Sequence, residues 1–544
     1  MRTIYSIIIG MIGLSFFSCK DLDEMNINPN GVDPSVADPS LLISTVITNS
    51  GTAMVGFGFG DIAGVVQHTQ KDGWSGGHNE YDWNTRDWGN FFDNLRQAKE
   101  LLRKAEETEN DFYAGAAKVF MAYNFGAVTD FWGDAPFSEA LQGKEGLKKP
   151  KYDSQKDIYQ GILVFLEEAN TLLSKNQGDY AVSAVQDVLY GGNVAQWRKF
   201  ANSLALRYYL RISAKEPATA EAGIRKLLGD PARYPLILDA ADDAAFLYPA
   251  NNRGTSWPST TAYDITETDW RRLKMCSTLV EKLLALNDPR IAVWANKVAI
   301  PLVPDTDNPN RDEIVNGERF VGSAIANKYL ADWEFPLNYH KEYVGLPPAF
   351  SKTAYVYNLN PNLEQAPINP HASHISDLYK KSSDPLLKAR MLSAAEMHFS
   401  LAEIAMKGWG GSAEEHYYAG IRTSFEVWGV SGQYNAYIAI PGVKYDGTLE
   451  QIMEQKWIAS WSAATEAWFD WRRTGLPDFK PGQFVKMNVL PLRFYYGNNE
   501  LNYNTENVKD AINRLEKTAY YSEEEGANTA WSKMWLLQGT GKPW

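Results

Sequence analysis

Cysteine is nearly absent from this 544-residue chain: Cys19 and Cys276 are the only two. At most one disulfide is available, so stability has to come from packing. A basic excess is missing too, because 53 Lys and Arg face 66 Asp and Glu, a formal charge of −13. That balance argues against a nucleic-acid binder, which needs a cationic face to neutralise phosphates. Beyond the N-terminus no uninterrupted apolar run approaches the ~18–20 residues that span a bilayer. The mature protein is therefore expected to be soluble or anchored, not threaded. General disorder is excluded by 44% hydrophobic and 22% charged residues, which are globular proportions. What abounds is aromatic: 18 Trp, 29 Tyr and 23 Phe, more than a core of this length obviously needs.

The N-terminus carries one Arg and then an uncharged stretch from Ile4 to Ser18, closing in Leu14-Ser-Phe-Phe-Ser-Cys19. This is a signal-peptide core, too short to span a membrane comfortably. Cys19, directly after the small Ser18, resembles the acylated cysteine of a bacterial lipoprotein. Residues 1–18 are read as a signal peptide, 19–50 as a lipid-anchored leash rich in Asn, Pro and Ser, and 51–544 as one domain.

Helical spacing of apolar residues begins at Trp88 and continues through Ala105. Further helices are expected from Tyr113, over 153–173 and 194–213, and again over 389–407, 413–428 and 449–473. Scaffold is thus predicted at about 88–214 and 389–475, followed by a C-terminal segment 476–544. Between them, about 215–388, Pro, Asn and Asp clusters multiply and periodicity fades, the mark of an irregular insertion that carries functional surface. Ala116-x3-Phe120 and Ala395-x3-Phe399 pair a small residue with an aromatic as tetratricopeptide repeats do, without their strict 34-residue period. The fold class expected is mainly α: an α-solenoid of tetratricopeptide-like helix pairs with a large loop-rich insertion.

Several segments, in order, resemble the SusD/RagB family of Bacteroidetes outer-membrane lipoproteins. They are Phe131-Trp-Gly-Asp-Ala-Pro-Phe-Ser-Glu139, Tyr152 to Tyr159, Gln196 to Leu204 with Leu206-Arg207 just after, Tyr417 to Glu426, Gln455-Lys-Trp-Ile458, Glu466 to Gly475, and Pro491-Leu-Arg-Phe-Tyr-Tyr496 with Asn502 to Asn507 after it. Lys20-Asp-Leu-Asp-Glu24 resembles the export signal of surface lipoproteins from the same bacteria. The resemblance implies anchoring in the outer membrane through Cys19, facing outward, and non-catalytic capture of oligosaccharides, or in some members peptides. It also implies a SusC-like TonB-dependent transporter as partner. Neither cofactor nor metal is expected. The family's motifs are mainly scaffold signatures, so ligand contacts cannot be carried over from them.

Other motifs read more plainly. Gly73-Trp-Ser-Gly-Gly77 has the spacing of a nucleophile elbow but lacks the flanking strand and helix that chemistry needs. His371-Ala-Ser-His374 lacks the offset and Glu of a zincin and is read as a solvated loop. Asp305 to Asn310 begins like an EF-hand but loses its Gly and terminal Glu, leaving a polar turn. Asp130 and Asp134 are one of many carboxylate pairs that a glycoside hydrolase, the enzyme alternative, could use. The segment Asp72 to Trp88 is more telling. A sugar offers an apolar C–H face and a rim of hydroxyls, which flat rings beside carboxylate and guanidinium groups complement. Asp72, Trp74, Tyr81, Trp83 and Arg86 are therefore candidate glycan contacts, with Trp333, Tyr339 and Tyr379 from the insertion. Trp88 is expected under the first helix, and Trp457, Trp461, Ala464, Trp468 and Trp471 on one packed helix face.

Overall fold

A computed structural model describes residues 38–71, 76–175, 182–350, 354–361, 368–521 and 526–542. The signal peptide, Cys19, Asp72, Trp74 and Ser75 lie outside them. Helices of eleven or more residues are labelled α1 (Pro39–Gly58), α2 (Gly89–Glu107), α3 (Asp111–Trp132), α4 (Gln155–Leu173), α5 (Val194–Arg211), α6 (Pro217–Gly229), α7 (Ser323–Trp333), α8 (Ala394–Met406), α9 (Ala413–Val427), α10 (Leu449–Ala459) and α11 (Ala464–Thr474). Among described residues the strands are short. β1 (Thr69–Lys71) runs antiparallel to β4 (Leu273–Met275), β2 (Thr85–Arg86) parallel to β9 (Tyr495–Tyr496), and β3 (Ala244–Leu247) antiparallel to β8 (Lys388–Leu392). In the insertion β5 (Leu302–Asp305), β6 (Asp312–Val315) and β7 (Glu318–Gly322) form a sheet in the order β5-β7-β6.

The expected mainly α frame with a loop-rich insertion is what folds. Most of its long helices start where a side chain can satisfy one of their first N–H groups: Asn110 accepts from Tyr113 at 3.1 Å, Ser154 from Asp157 at 3.2 Å and Ser393 from Glu396 at 3.2 Å. α3 is buried almost end to end, and its neighbours come close only because it carries glycine. A Cβ at Gly126 would stand 2.1 Å from the Tyr208 hydroxyl of α5. The same device joins α8 to α9, where Phe399 rests on Gly420.

Two boundaries differ from expectation. The leash does not extend to residue 50, because Asp38 caps α1 by accepting from Ser40 (2.8 Å) and Pro39 suits the first turn. By length and composition Pro39–Val65 is apolar enough to cross a membrane, yet Ile43, Val46 and Ile47 are fully buried in the protein core. The helix predicted over 449–473 is two helices, broken at Ser460–Ala463 with Ser462 at positive φ. The four tryptophans there are nonetheless all buried, so packing decides their role even though no single helix face holds them.

The core has an aromatic and an ionic part. Phe131 of α3 stacks on Phe494 at 5.0 Å and packs against Trp468 and Phe57. Beside it, buried ion pairs tie helices far apart in sequence, Arg207 to Glu396 (2.7 Å), Arg211 to Glu466 (2.5 Å) and Arg473 to Glu403 (2.5 Å), and Lys456 to Asp470 (2.7 Å) joins the consecutive α10 and α11. Asp130 and Asp134 are absorbed in this frame. Asp130 accepts from the Tyr159 hydroxyl at 2.7 Å, and Asp134 accepts from the Gln155 backbone at 2.7 Å and pairs with Arg514.

Candidate ligand-binding site

Arg86 is placed by the scaffold. The indole N–H of Trp132 donates to the carbonyl oxygens of Arg86 (3.0 Å) and Tyr495 (2.9 Å), clamping the parallel β2–β9 pair from below. The Arg86 guanidinium then lies 4.5 Å from the Phe494 ring centre and donates to Asp61 at 2.7 Å. Both side chains remain partly open, at 29% and 25% exposure. Burial alone would raise the Asp61 carboxyl, but His78 and Arg86 outweigh it and hold it below the ordinary carboxylate range. Burial also keeps His78 neutral down to about pH 3, so in neutral solution the Arg86 charge is the more effective of the two.

This pair floors an open cleft of about 670 Å³ between α1 and α2. Asn49, Thr52 and Phe57 form one wall and Asn90, Asp93 and Asn94 the other, with Gly254 at the rim. Carboxylate, guanidinium, amide and hydroxyl groups facing one space are complementary to a hydroxyl-rich ligand. Beside the cleft, a Cβ on Gly77 would stand 3.0 Å from the Asp61 carboxylate and 3.2 Å from the Trp83 ring; the candidates Asp72 and Trp74 lie outside the described residues.

The aromatic candidates divide. Trp83 is not a surface platform: it is 3% exposed, donates to the Gly77 carbonyl at 2.9 Å and meets Phe494 (4.8 Å) and Trp468 (5.3 Å). Tyr81 and Tyr379 are fully buried, the latter accepting from the Trp461 indole at 2.6 Å. Trp88 lies buried against Trp132 and Tyr496, as expected. Trp333 and Tyr339 are half-buried around Tyr329 and Leu337, and Trp333 lines a second hollow of about 310 Å³ with Arg319, Lys328 and Asp332. His371 and His374 are not solvated. His371 is buried between the Ile300 carbonyl (2.6 Å) and Arg319 (3.2 Å), and His374 stacks on Trp270, because the insertion folds over them. Asp305 does form a polar turn, accepting from Asp307 (2.8 Å) and Asn308 (3.0 Å).

Asp61 and the segment 480–486 were not singled out by sequence. That segment joins the two predicted clusters: Lys486 pairs with Asp82 at 3.1 Å and Gln483 donates to Glu334 at 2.8 Å. The glycine-rich run Gly56-Phe-Gly-Phe-Gly60, which ends α1 just before Asp61, was the available signal for that residue.

Fold and cleft together define a helix-scaffolded protein with an open, polar surface site. A family described as starch-binding and associating with the outer membrane matches residues 33–311 and 338–497. The chain belongs to this family of SusD-like proteins. A SusD homologue from Bacteroides fragilis has 22% identity and a TM-score of 0.70, over 92% of this chain and 99% of its own. A chitin-binding protein has 23% and 0.70, over 93% and 100%. A chitin-binding SusD homologue from Flavobacterium johnsoniae has 20% and 0.67, over 91% and 99%. At these identities the likeness is one of fold. No curated protein sequence matches the chain.

Proposed function

We propose that this chain is a surface lipoprotein, anchored through acylated Cys19, that captures oligosaccharides or polysaccharides without cleaving them and passes them to a SusC-like TonB-dependent transporter. Family membership supports the nutrient-binding role, and the chitin-binding relatives make β-linked aminosugar chains a first probe beside starch. The observation that carries capture at this site is the Asp61–Arg86 pair, held half-open on an aromatic bed in a polar cleft. A glycosidase needs a carboxylic acid kept protonated to release its leaving group. Asp61 is held in the opposite state, ionised by its guanidinium partner.

The test is native electrophoresis of the pure protein in gels containing starch, soluble chitin and a panel of other polysaccharides, with reducing ends assayed in parallel. Retarded migration with no released sugar is expected. New reducing ends would identify a hydrolase, and a silent panel with copurified short peptides would identify a peptide-capturing relative. Replacing Trp74 by Ala is expected to weaken a stacking ligand by about 1–3 kcal/mol.

A further inference from the structure

The cleft occupies one flank of α2, and a larger, separate groove of about 1080 Å³ occupies another. Helical spacing divides them: Asn90, Asp93 and Asn94 face the cleft, whereas Phe92, Arg96, Lys99 and Arg103, recurring every three or four residues, line the groove. The helix Asn498–Tyr503 supplies a second wall, and the segment 136–150 and Leu42 add to the lining.

Tyr503 ends that second wall with its side chain 73% exposed, the most exposed aromatic among the described residues. The backbone beneath it is tied down on both sides. Asp87, the residue after Arg86, accepts from the Asn499 backbone (3.3 Å) and from its side-chain amide (3.2 Å), Tyr152 donates to Glu500, and Asn504 donates to the Pro150 carbonyl at 2.9 Å. Gly497 allows the first of these contacts, since a Cβ there would stand 1.9 Å from the Asp87 carboxylate. A ring carried on a fixed wall loses little freedom when a ligand stacks on it.

The lining suits a neutral ligand better than an ion. Five basic and five acidic residues line the groove, and most of them are already committed. Arg96 pairs with Asp93, Arg103 pairs with Glu100 and Glu107, Lys99 donates to the Leu141 carbonyl at 2.7 Å, and Glu139 accepts from the Lys151 backbone at 2.9 Å. Two walls are helical, so they offer no strand edge to an extended peptide. What they do offer is ring faces and amides: Trp88 and Phe92, with ring centres 5.5 Å apart, then Tyr503 at the open side, with Gln97 and Gln142 beside them. A saccharide, apolar on its C–H face and rimmed by hydroxyls, uses both kinds of group.

We propose that this groove is a second glycan site, for neutral saccharide, with Tyr503 as its stacking platform. It rests on the reading of the chain as a glycan-capturing protein and adds a contact on the flank of α2 away from Asp61 and Arg86. A helix is about 10–12 Å across with its side chains, so one long chain can occupy both sites, the second contact being made at high local concentration.

The experiment is a saturation titration of the full-length protein with maltotriose and with chitotriose, followed by soluble starch and soluble chitin. Two equivalents of one trisaccharide are expected per chain. Tyr503→Ala should remove one equivalent, leave the affinity of the other unchanged, and weaken binding of the matching polysaccharide by about tenfold or more. Its melting temperature should stay that of the natural protein, because the ring is exposed. Tyr503→Phe, which keeps the stacking face, should keep both equivalents, and Asp61→Asn should weaken the cleft's equivalent while sparing the groove's. A single equivalent in the natural protein, or two retained by Tyr503→Ala, overturns the second site and leaves capture at the cleft standing. Binding of neither trisaccharide nor polysaccharide overturns both.

Discussion

The helical frame and the candidate cleft treat charge in opposite ways. Around α5, α8, α10 and α11 the ionic groups are buried and matched: Arg473, 5% exposed, faces Glu403 at 1%, and both guanidinium nitrogens on that side are used. In the cleft, Arg86 and Asp61 make one contact at 2.7 Å and keep further lone pairs and N–H groups facing solvent. A buried matched pair fixes geometry and is intolerant of losing one member, whereas a half-open pair retains capacity for a third partner. The difference marks which charges hold the fold and which are available to a ligand.

The comparison breaks most sharply in the frame. Glu403→Gln leaves a buried guanidinium short of its counter-charge and is expected to cost about 3 kcal/mol or more of unfolding free energy, read from urea denaturation. A loss below 1 kcal/mol would mean that the frame's charges are no more committed than those of the cleft.

In the cleft the same kind of substitution should act on ligand and spare the fold. Asp61→Asn or Arg86→Gln is expected to weaken glycan binding by about 1.5–3 kcal/mol, the range for hydrogen bonds to charged groups, with the melting temperature shifted by only a few degrees. Glycan titration calorimetry and thermal melts on the same samples separate the two effects.

These contrasts were unevenly legible in sequence. The helices could be read because burial repeats along one element, and the segments resembling known lipoproteins turn out to build the frame: Trp132, Arg207, Glu466, Arg473 and Phe494 all bond or stack within it. Arg86 is named as a candidate because it lies in a run of aromatic and polar residues. Trp83 and Tyr379 were misjudged for a single reason: their burial is set by Trp468, Phe494 and Trp461, 82 to 411 positions away along the chain, and local composition carries no trace of such partners. Trp333 lies in residues 312–337, which the family match skips, so the hollow it lines belongs to the part of the face least constrained by kinship.

Acid should probe the seam between the two regions. His68 bonds the Trp457 carbonyl in the frame, and His78 lies under Asp61. Burial lowers each from 6.5 to about 3. Below pH 6.5 the unfolded chain takes up protons that the folded chain refuses, so stability falls as pH falls. Each histidine contributes up to about 1.4 kcal/mol per pH unit, or about 2 kcal/mol between pH 6.5 and 5. His68→Gln should flatten that dependence in urea titrations across the interval, and an unchanged slope would show that the ring is protonated in the folded protein.

The smallest effect is expected where the two predicted clusters meet. Lys486 and Asp82 are 3.1 Å apart but 32% and 54% exposed, and such pairs contribute about 0–1 kcal/mol. Lys486→Ala should therefore leave the melting temperature within a degree or two. If the face is continuous from Asp61 to Trp333, the substitution still removes a cation from the middle of the ligand's path. Long glycans should then bind more weakly while short ones, held by the cleft alone, bind as before. Equal affinities at every chain length would confine the ligand to the Asp61–Arg86 cleft and leave Trp333 outside it.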